Sequence, residues 1–168
     1  MDDKAKWGIL ILLVIICLVI FLIEFSDDFI NNVEITKKEQ SAIVTFHLDN
    51  STPVVIICEV VSSPEKLSFG LMFKEKLPED EGMLFVYDFP HNVSFWMKNT
   101  FIPLDIIFLD ETGTVVNVEE ADLEINVSDE KLKRYFSTLP VKWVVEMNQG
   151  LCKAYGIELG TNVSIEYL

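Results

Sequence analysis

The chain has 168 residues, half of them hydrophobic, and its 27 acidic residues outnumber 13 basic ones to give a net charge of −14. This length corresponds to about one domain. The charge argues against nucleic acid or anionic lipid headgroups as partners of a folded domain, because phosphate binding needs clustered lysine and arginine. It is typical of a well-solvated surface.

The first predicted element is a run of seventeen residues without a charge, Trp7–Ile23. A helix of this length spans roughly 26 Å, close to the hydrocarbon thickness of a bilayer. The run lacks the polar stripe of a buried helix in a soluble protein. It therefore predicts a transmembrane helix, with the lipid bilayer as the partner of residues 7–23. A cleaved or lipidated signal peptide is the alternative, although no small-x-small cleavage site follows the run.

The charges on either side of this run predict its orientation. Lys4 and Lys6 precede it, and acidic residues follow from Glu24 onward. Because positive residues stay on the cytoplasmic side, a single-pass protein of the cell membrane is expected, with its C-terminal domain outside. The predicted organisation is a cytoplasmic N-terminus (1–6), the span (7–23), a polar linker (24–40) and an extracytoplasmic domain (41–168).

Short apolar segments separated by turn signals predict the structure of the domain. Eight segments have the pattern of strands: residues 42–46, 54–61, 83–87, 93–97, 106–109, 115–118, 143–147 and 163–167. Helices are predicted from Ser63-Pro64-Glu65 to near Gly70, over 129–136 with Ser128 as cap, and over 149–155. The expected class is α+β: a compact, mostly antiparallel, barrel-like β domain with two or three short helices.

Cysteine and methionine do not form a recognisable metal or disulfide framework. Cys58 and Cys152 are the cysteines outside the span, and burial as small hydrophobes is the main interpretation. A Cys58–Cys152 disulfide is the alternative that an outside location permits. Met72, Met83, Met97 and Met147 have the ligand type that binds copper(I), but they lie among apolar residues typical of a core. No metal and no cofactor is expected.

Three motifs together are specific enough to identify a family. They are Gly70-Leu71-Met72-Phe73, Gly82-Met83-Leu84-Phe85-Val86, and the long string that runs from Phe95-Trp96-Met97-Lys98-Asn99-Thr100 to Ile102-Pro103-Leu104-Asp105 and on to Asp110. The chain resembles the domain-of-unknown-function family 192, also called uncharacterised protein family 0127, over about residues 54–168. The resemblance implies a compact β-rich fold, commonly behind a signal peptide or anchor, with no established activity.

The same string supplies the best candidate site. Alternation along a strand puts Trp96 and Lys98 on one face, and the turn at Asn99 is expected to bring Lys98 towards Asp105. These four residues are predicted to form a pocket for a polar ligand such as a sugar. The structural alternative is a simple Lys98–Asp105 ion pair, with Asn99 satisfying the turn.

Two further polar residues, Glu146 and Asn148, flank Met147 on one face of a predicted strand. They either join the same ligand site or face the solvent, and the second interpretation is favoured.

Two functions are compatible with these residues. The first is a non-catalytic binding or envelope-associated module that binds a cell-envelope ligand. The second is a hydrolase-like enzyme acting on the envelope, with Lys98 and either Asp105 or Glu146 as acid and base. Sequons at Asn50, Asn92, Asn126 and Asn162 agree with an outside location.

Overall fold

The computed structural model describes residues 16–21, 40–49 and 52–168. Contacts divide the chain into two units, Met1–Lys38 and Glu39–Leu168. In the first unit, residues 16–21 are helical. No helix within the described residues has both the length and the apolar character needed to cross a bilayer. The rest of the predicted span 7–23, and the predicted linker up to residue 39, lie outside the described residues.

In the second unit, the described residues form a mostly β domain with a few short helices. The helices are α1 (Pro64–Phe69), a 3₁₀ turn (Asp129–Lys131) and α2 (Leu151–Tyr155). The strands are β1 (Ser41–His47), β2 (Val54–Val61), β3 (Glu81–His91), β4 (Ser94–Phe95), β5 (Leu104–Leu109), β6 (Val115–Ala121), β7 (Tyr135–Phe136), β8 (Val141–Asn148) and β9 (Asn162–Tyr167).

Seven of these strands form one curled sheet in the order β6-β5-β8-β3-β2-β1-β9. Neighbouring strands are antiparallel except β2 and β3, which are parallel and joined through α1. The two edge strands approach each other at a bridge between Thr114 and Asn162, beside a hydrogen bond from Val115 N to Thr161 O of 2.9 Å. The sheet is therefore barrel-like, as predicted.

The sheet is apolar on both faces, and β5 shows why. All six of its residues are buried. Ile107 and Leu109 point to the inner, concave face, where they pack with residues such as Phe46 and Val145. Leu104, Ile106 and Phe108 point to the outer face, which is covered by connecting segments that carry Leu71, Met97 and Tyr135.

The first half of β2 is buried on one face only. Val55 and Ile57 are about half exposed, at 50% and 48%, whereas Ile56 and Cys58 between and beside them are buried in the inner core. This end of the sheet is thus covered on one side only, which is the ordinary arrangement of an antiparallel sheet.

Local sequence signals predict α1 correctly, but the helix that they predict over 129–136 does not form. Ser63 accepts a hydrogen bond from Lys66 N, Pro64 opens α1 and Gly70 caps its end. After the 3₁₀ turn, however, Tyr135 and Phe136 are extended and pair with Phe95 and Ser94. Burial of Tyr135 against the outer core stabilises this small sheet and overrides the local helical preference. The strand predicted at 93–97 is accordingly reduced to the two residues of β4.

Cys58 and Cys152 are free, buried thiols of the inner core, so the disulfide alternative is not supported. Burial raises the pKa of Cys58 to about 12 and raises the pKa of Cys152 as well. Both thiols therefore stay protonated and act as small core side chains. Of the four methionines, Met83, Met97 and Met147 are buried in the two cores, which confirms their interpretation as packing residues, whereas Met72 is only partly buried.

Candidate ligand pocket

A pocket of about 390 Å³ opens on the outer face of the sheet. Its walls come from the end of α1 and the turn after it, from β3 and β4, and from the segment before β7. Its lining includes Gly70, Phe85, Tyr87, His91, Phe95, Trp96, Arg134 and Glu146. The volume is large enough for a small molecule, and the lining combines aromatic side chains with polar groups.

Glu146 is the polar group buried deepest among these residues. It lies on β8 opposite Met83 of β3 and Ile106 of β5. The flanking Val145 and Met147 point into the inner core, so alternation sends Glu146 to the outer face. Only 5% of its surface is exposed. The sequence-based expectation that Glu146 faces the solvent is therefore wrong.

The carboxyl of Glu146 has no hydrogen bond and no ion pair with any described residue. Burial raises its pKa to about 8 from an ordinary value of 4.5. At pH 7 the side chain is consequently mostly protonated and neutral. A buried carboxyl at the wall of a pocket, with no partner among the described residues, is the kind of group that binding and catalytic sites employ.

Aromatic side chains surround this carboxyl. Phe85 and Phe95 meet edge to face with ring centroids 4.9 Å apart, and Tyr87 meets His91 in the same way at 4.8 Å. Burial, together with the nearby charge of Glu146, raises the pKa of Tyr87 to about 12. The phenol therefore keeps its proton and offers a hydrogen-bond donor to the pocket.

Gly70 gives the pocket its space above Glu146. Its φ of +51° ends α1 in a conformation that favours glycine. A Cβ at this position would lie 3.2 Å from Cζ of Phe85 and 3.9 Å from Oε2 of Glu146. The missing side chain thus leaves room directly over the floor of the pocket.

Trp96 lies at the rim, where two cations approach its ring. The Arg134 guanidinium is 3.9 Å from the ring centroid and the Lys98 amine is 5.2 Å from it. Trp96 and Arg134 both line the pocket. Lys98 instead pairs with Asp129 in a separate surface depression that also contains Asn99.

The predicted meeting of Lys98 and Asp105 does not occur, whether as a site or as an ion pair. Asp105 is fully buried on β5, in alternation with Ile107 and Leu109, and it faces the inner core. Its Oδ2 accepts a hydrogen bond of 2.8 Å from Cys152 N at the start of α2. Asp105 is therefore a structural residue that satisfies a helix end from inside the sheet.

Asn148 is also separated from the pocket by its contacts. Its Nδ2 donates to Leu77 O at 2.8 Å and to Pro78 O at 3.2 Å, which ties β8 to the turn before β3. Of the six predicted site residues, the structure brings Trp96 and Glu146 to one pocket and places Lys98, Asn99, Asp105 and Asn148 elsewhere.

Sequence reasoning missed Gly70, Tyr87, His91 and Arg134 as pocket residues. Gly70 begins one of the motifs that carry the family resemblance, so a signal was present there. Tyr87 and His91 stand at the end of a long strand and Arg134 in an irregular segment. Only the tertiary fold brings these distant positions to Glu146.

The comparisons with known proteins agree with the β-rich fold. The family DUF192, described as "Uncharacterized ACR", matches residues 45–165. A structure of a proposed transcription regulator from Sinorhizobium meliloti 1021 is 28% identical, with a TM-score of 0.66, covering 74% of this chain and 92% of that chain. A protein of unknown function from Novosphingobium aromaticivorans DSM 12444 is 33% identical, with a TM-score of 0.63, covering 73% and 83%. No curated protein matches the sequence.

Proposed function

The chain belongs to the DUF192 family, and we propose that its β domain is a binding module that holds a small organic molecule against Glu146. The observation that carries this proposal is the buried Glu146 carboxyl, which lacks a partner among the described residues and lies in an aromatic pocket. An unpartnered buried polar group costs free energy unless a ligand or solvent satisfies it. A ligand that donates to Glu146 would supply the hydrogen-bond partner that no described residue supplies.

Retention of a ligand by the purified protein tests this function. The full chain is purified in a maltoside detergent, and any bound small molecules are extracted from it. Mass spectrometry then compares the extract with a panel of envelope components. We expect wild type and Glu166→Gln, a matched change at an exposed position of β9, to retain the same small molecule. Glu146→Gln is expected to retain much less. If no molecule from the extract or the panel binds or stabilises the wild-type chain, the binding function is contradicted.

We also propose that the module is held at the outer side of the cell membrane by Trp7–Ile23, where it meets its ligand in the envelope. Support comes from the charge-free run and from the lysines ahead of it. A transcriptional role like that suggested for the Sinorhizobium protein is disfavoured by the net charge of −14.

The location has a direct test. A reporter fused after Leu168 is expected to be active and accessible outside the cytoplasm, and replacing three central residues of the run with arginine is expected to abolish this, because each charge at the bilayer centre costs about 3 kcal/mol. Reporter activity confined to the cytoplasm in intact cells would contradict the anchor and the envelope role together.

An acid–base enzyme is the second candidate function, and one observation favours it. Glu146 has a pKa near the physiological range, and Tyr87 and His91 line the same pocket. Lys98 and Asp105 take no part in this version, because they lie away from the pocket. Turnover of a captured ligand by wild type, lost in Glu146→Gln, would identify an enzyme, whereas unchanged ligand would leave a binding module.

A further inference from the structure

We infer that the Glu146 pocket selects a ligand with an organic ammonium group, whose nitrogen lies against the Glu146 carboxylate within the aromatic walls. This inference rests on the proposed binding function and specifies the class of ligand. Three observations support it: the acid has no cationic partner among the described residues, aromatic side chains line the pocket, and the chain as a whole is strongly acidic.

The protein offers Glu146 no positive charge of its own within ion-pair distance in the described residues. Its neighbours on β3 and β5 are Met83 and Ile106, and Gly70 above it has no side chain. The titratable or charged groups that share the pocket are Tyr87, His91 and Arg134. Arg134 stacks on Trp96 at the solvent-exposed rim, where water screens its charge. A ligand ammonium would supply the positive charge that the described residues do not place beside the ionised carboxylate.

Aromatic rings favour the same class of ligand. The faces of phenylalanine and tyrosine rings carry negative potential and attract cations. Phe85, Tyr87 and Phe95 line the pocket around the carboxyl. The rim already shows this chemistry, because Arg134 and Lys98 both approach the Trp96 ring. A net charge of −14 also concentrates cations near the protein surface.

The affinity for an ammonium ligand should depend on pH in a way that the affinity for a neutral ligand does not. Burial raises the pKa of Glu146 to about 8, so an ammonium that binds the ionised form at lower pH must displace a proton. The affinity for an ammonium is expected to rise about tenfold for each pH unit between pH 6 and pH 8, and to level off above that. A neutral alcohol that accepts from or donates to the protonated acid has no such slope.

Three probes of nearly the same shape test the inference on the full chain by titration calorimetry. They are phenethylamine, its neutral isostere 2-phenylethanol, and the carboxylate 3-phenylpropionate. At pH 8.5 phenethylamine is expected to bind about tenfold or more tightly than either of the others. Glu146→Gln is expected to weaken phenethylamine binding by about thirtyfold or more and to flatten its pH profile. Glu166→Gln should change neither.

A measurement on the wild-type protein alone keeps the test independent of how the variant folds. At pH 6.5, binding of phenethylamine is expected to release close to one proton, read from the heats in two buffers of different ionisation enthalpy. Equal affinity for all three probes, tighter binding of the alcohol or the carboxylate, or no proton release would overturn the ammonium class. If the neutral probe binds in that case, the proposed binding function is still supported and only the ammonium class is contradicted. Failure of the capture experiment would instead contradict the binding function itself.

Discussion

The protein is expected to lose stability as pH rises from 5 to 8.5, and Glu146→Gln is expected to remove most of that loss. The folded protein keeps a proton on Glu146 up to a pKa of about 8, whereas the unfolded chain releases it near the ordinary value of 4.5. The stabilising contribution is thus fully present below pH 4.5 and disappears as pH rises through 8. Over this window it amounts to about 4 kcal/mol.

Urea denaturation at a series of pH values measures this effect. The free energy of unfolding of wild type should fall across the window, and that of Glu146→Gln should remain nearly level, because glutamine has the shape of the protonated acid and does not ionise. Glu166→Gln, changed at an exposed position, should follow wild type. Parallel curves for wild type and Glu146→Gln would contradict the burial of this carboxyl.

The second large effect is expected for Gly82→Ala, which should destabilise the domain by about 3 kcal/mol. Gly82 lies on β3, and a Cβ there would stand 2.7 Å from the backbone oxygen of Glu146, 3.1 Å from Cγ2 of Ile56 and 3.2 Å from Sγ of Cys58. The closest of these atoms belongs to the backbone of β8, so relief requires β3 and β8 to move apart. That movement would disturb the ladder that holds Glu146 in the pocket.

Gly156→Ala is the matched control for this substitution. Gly156 has a φ of +77°, and a Cβ there would meet nothing within 4 Å. Its cost comes only from the left-handed backbone conformation and is expected to be about 1 kcal/mol. Both variants are compared with wild type by chemical denaturation. If Gly82→Ala is no more destabilising than Gly156→Ala, the strands at Glu146 are less tightly packed than described.

Much of the fold could be predicted because its local signals agree with its tertiary contacts. The Ser63-Pro64-Glu65 start of α1 is one example. Another is the turn from Asp110, whose Oδ1 accepts from Thr112 N at 2.8 Å and from Thr114 N at 3.0 Å. The helix expected at 129–136 could not be judged in this way, because Tyr135 gains more from a buried position beside β4 than from helical hydrogen bonds.

The site was predicted in part, and β5 explains the part that failed. Asp105 alternates with Ile107 and Leu109, while Leu104, Ile106 and Phe108 occupy the other face. Because the other residues of both sets are apolar, the sequence does not reveal which face is the inner one, and the predicted meeting of Asp105 with Lys98 is wrong. Glu146 presents the same ambiguity on β8, where Val144 and Val145 are both buried. Only the pairing of strands settles which carboxyl enters the core and which enters the pocket.

The most direct test of the central claim is the titration of the Glu146 side-chain carboxyl carbon, followed by NMR in the folded wild-type protein and assigned with Glu146→Gln. An isolated, buried acid in the pocket predicts a midpoint near pH 8. A midpoint near 4.5, the ordinary value for glutamate, would show a solvated or already paired carboxylate and would contradict both the pocket as described and the ligand chemistry inferred from it.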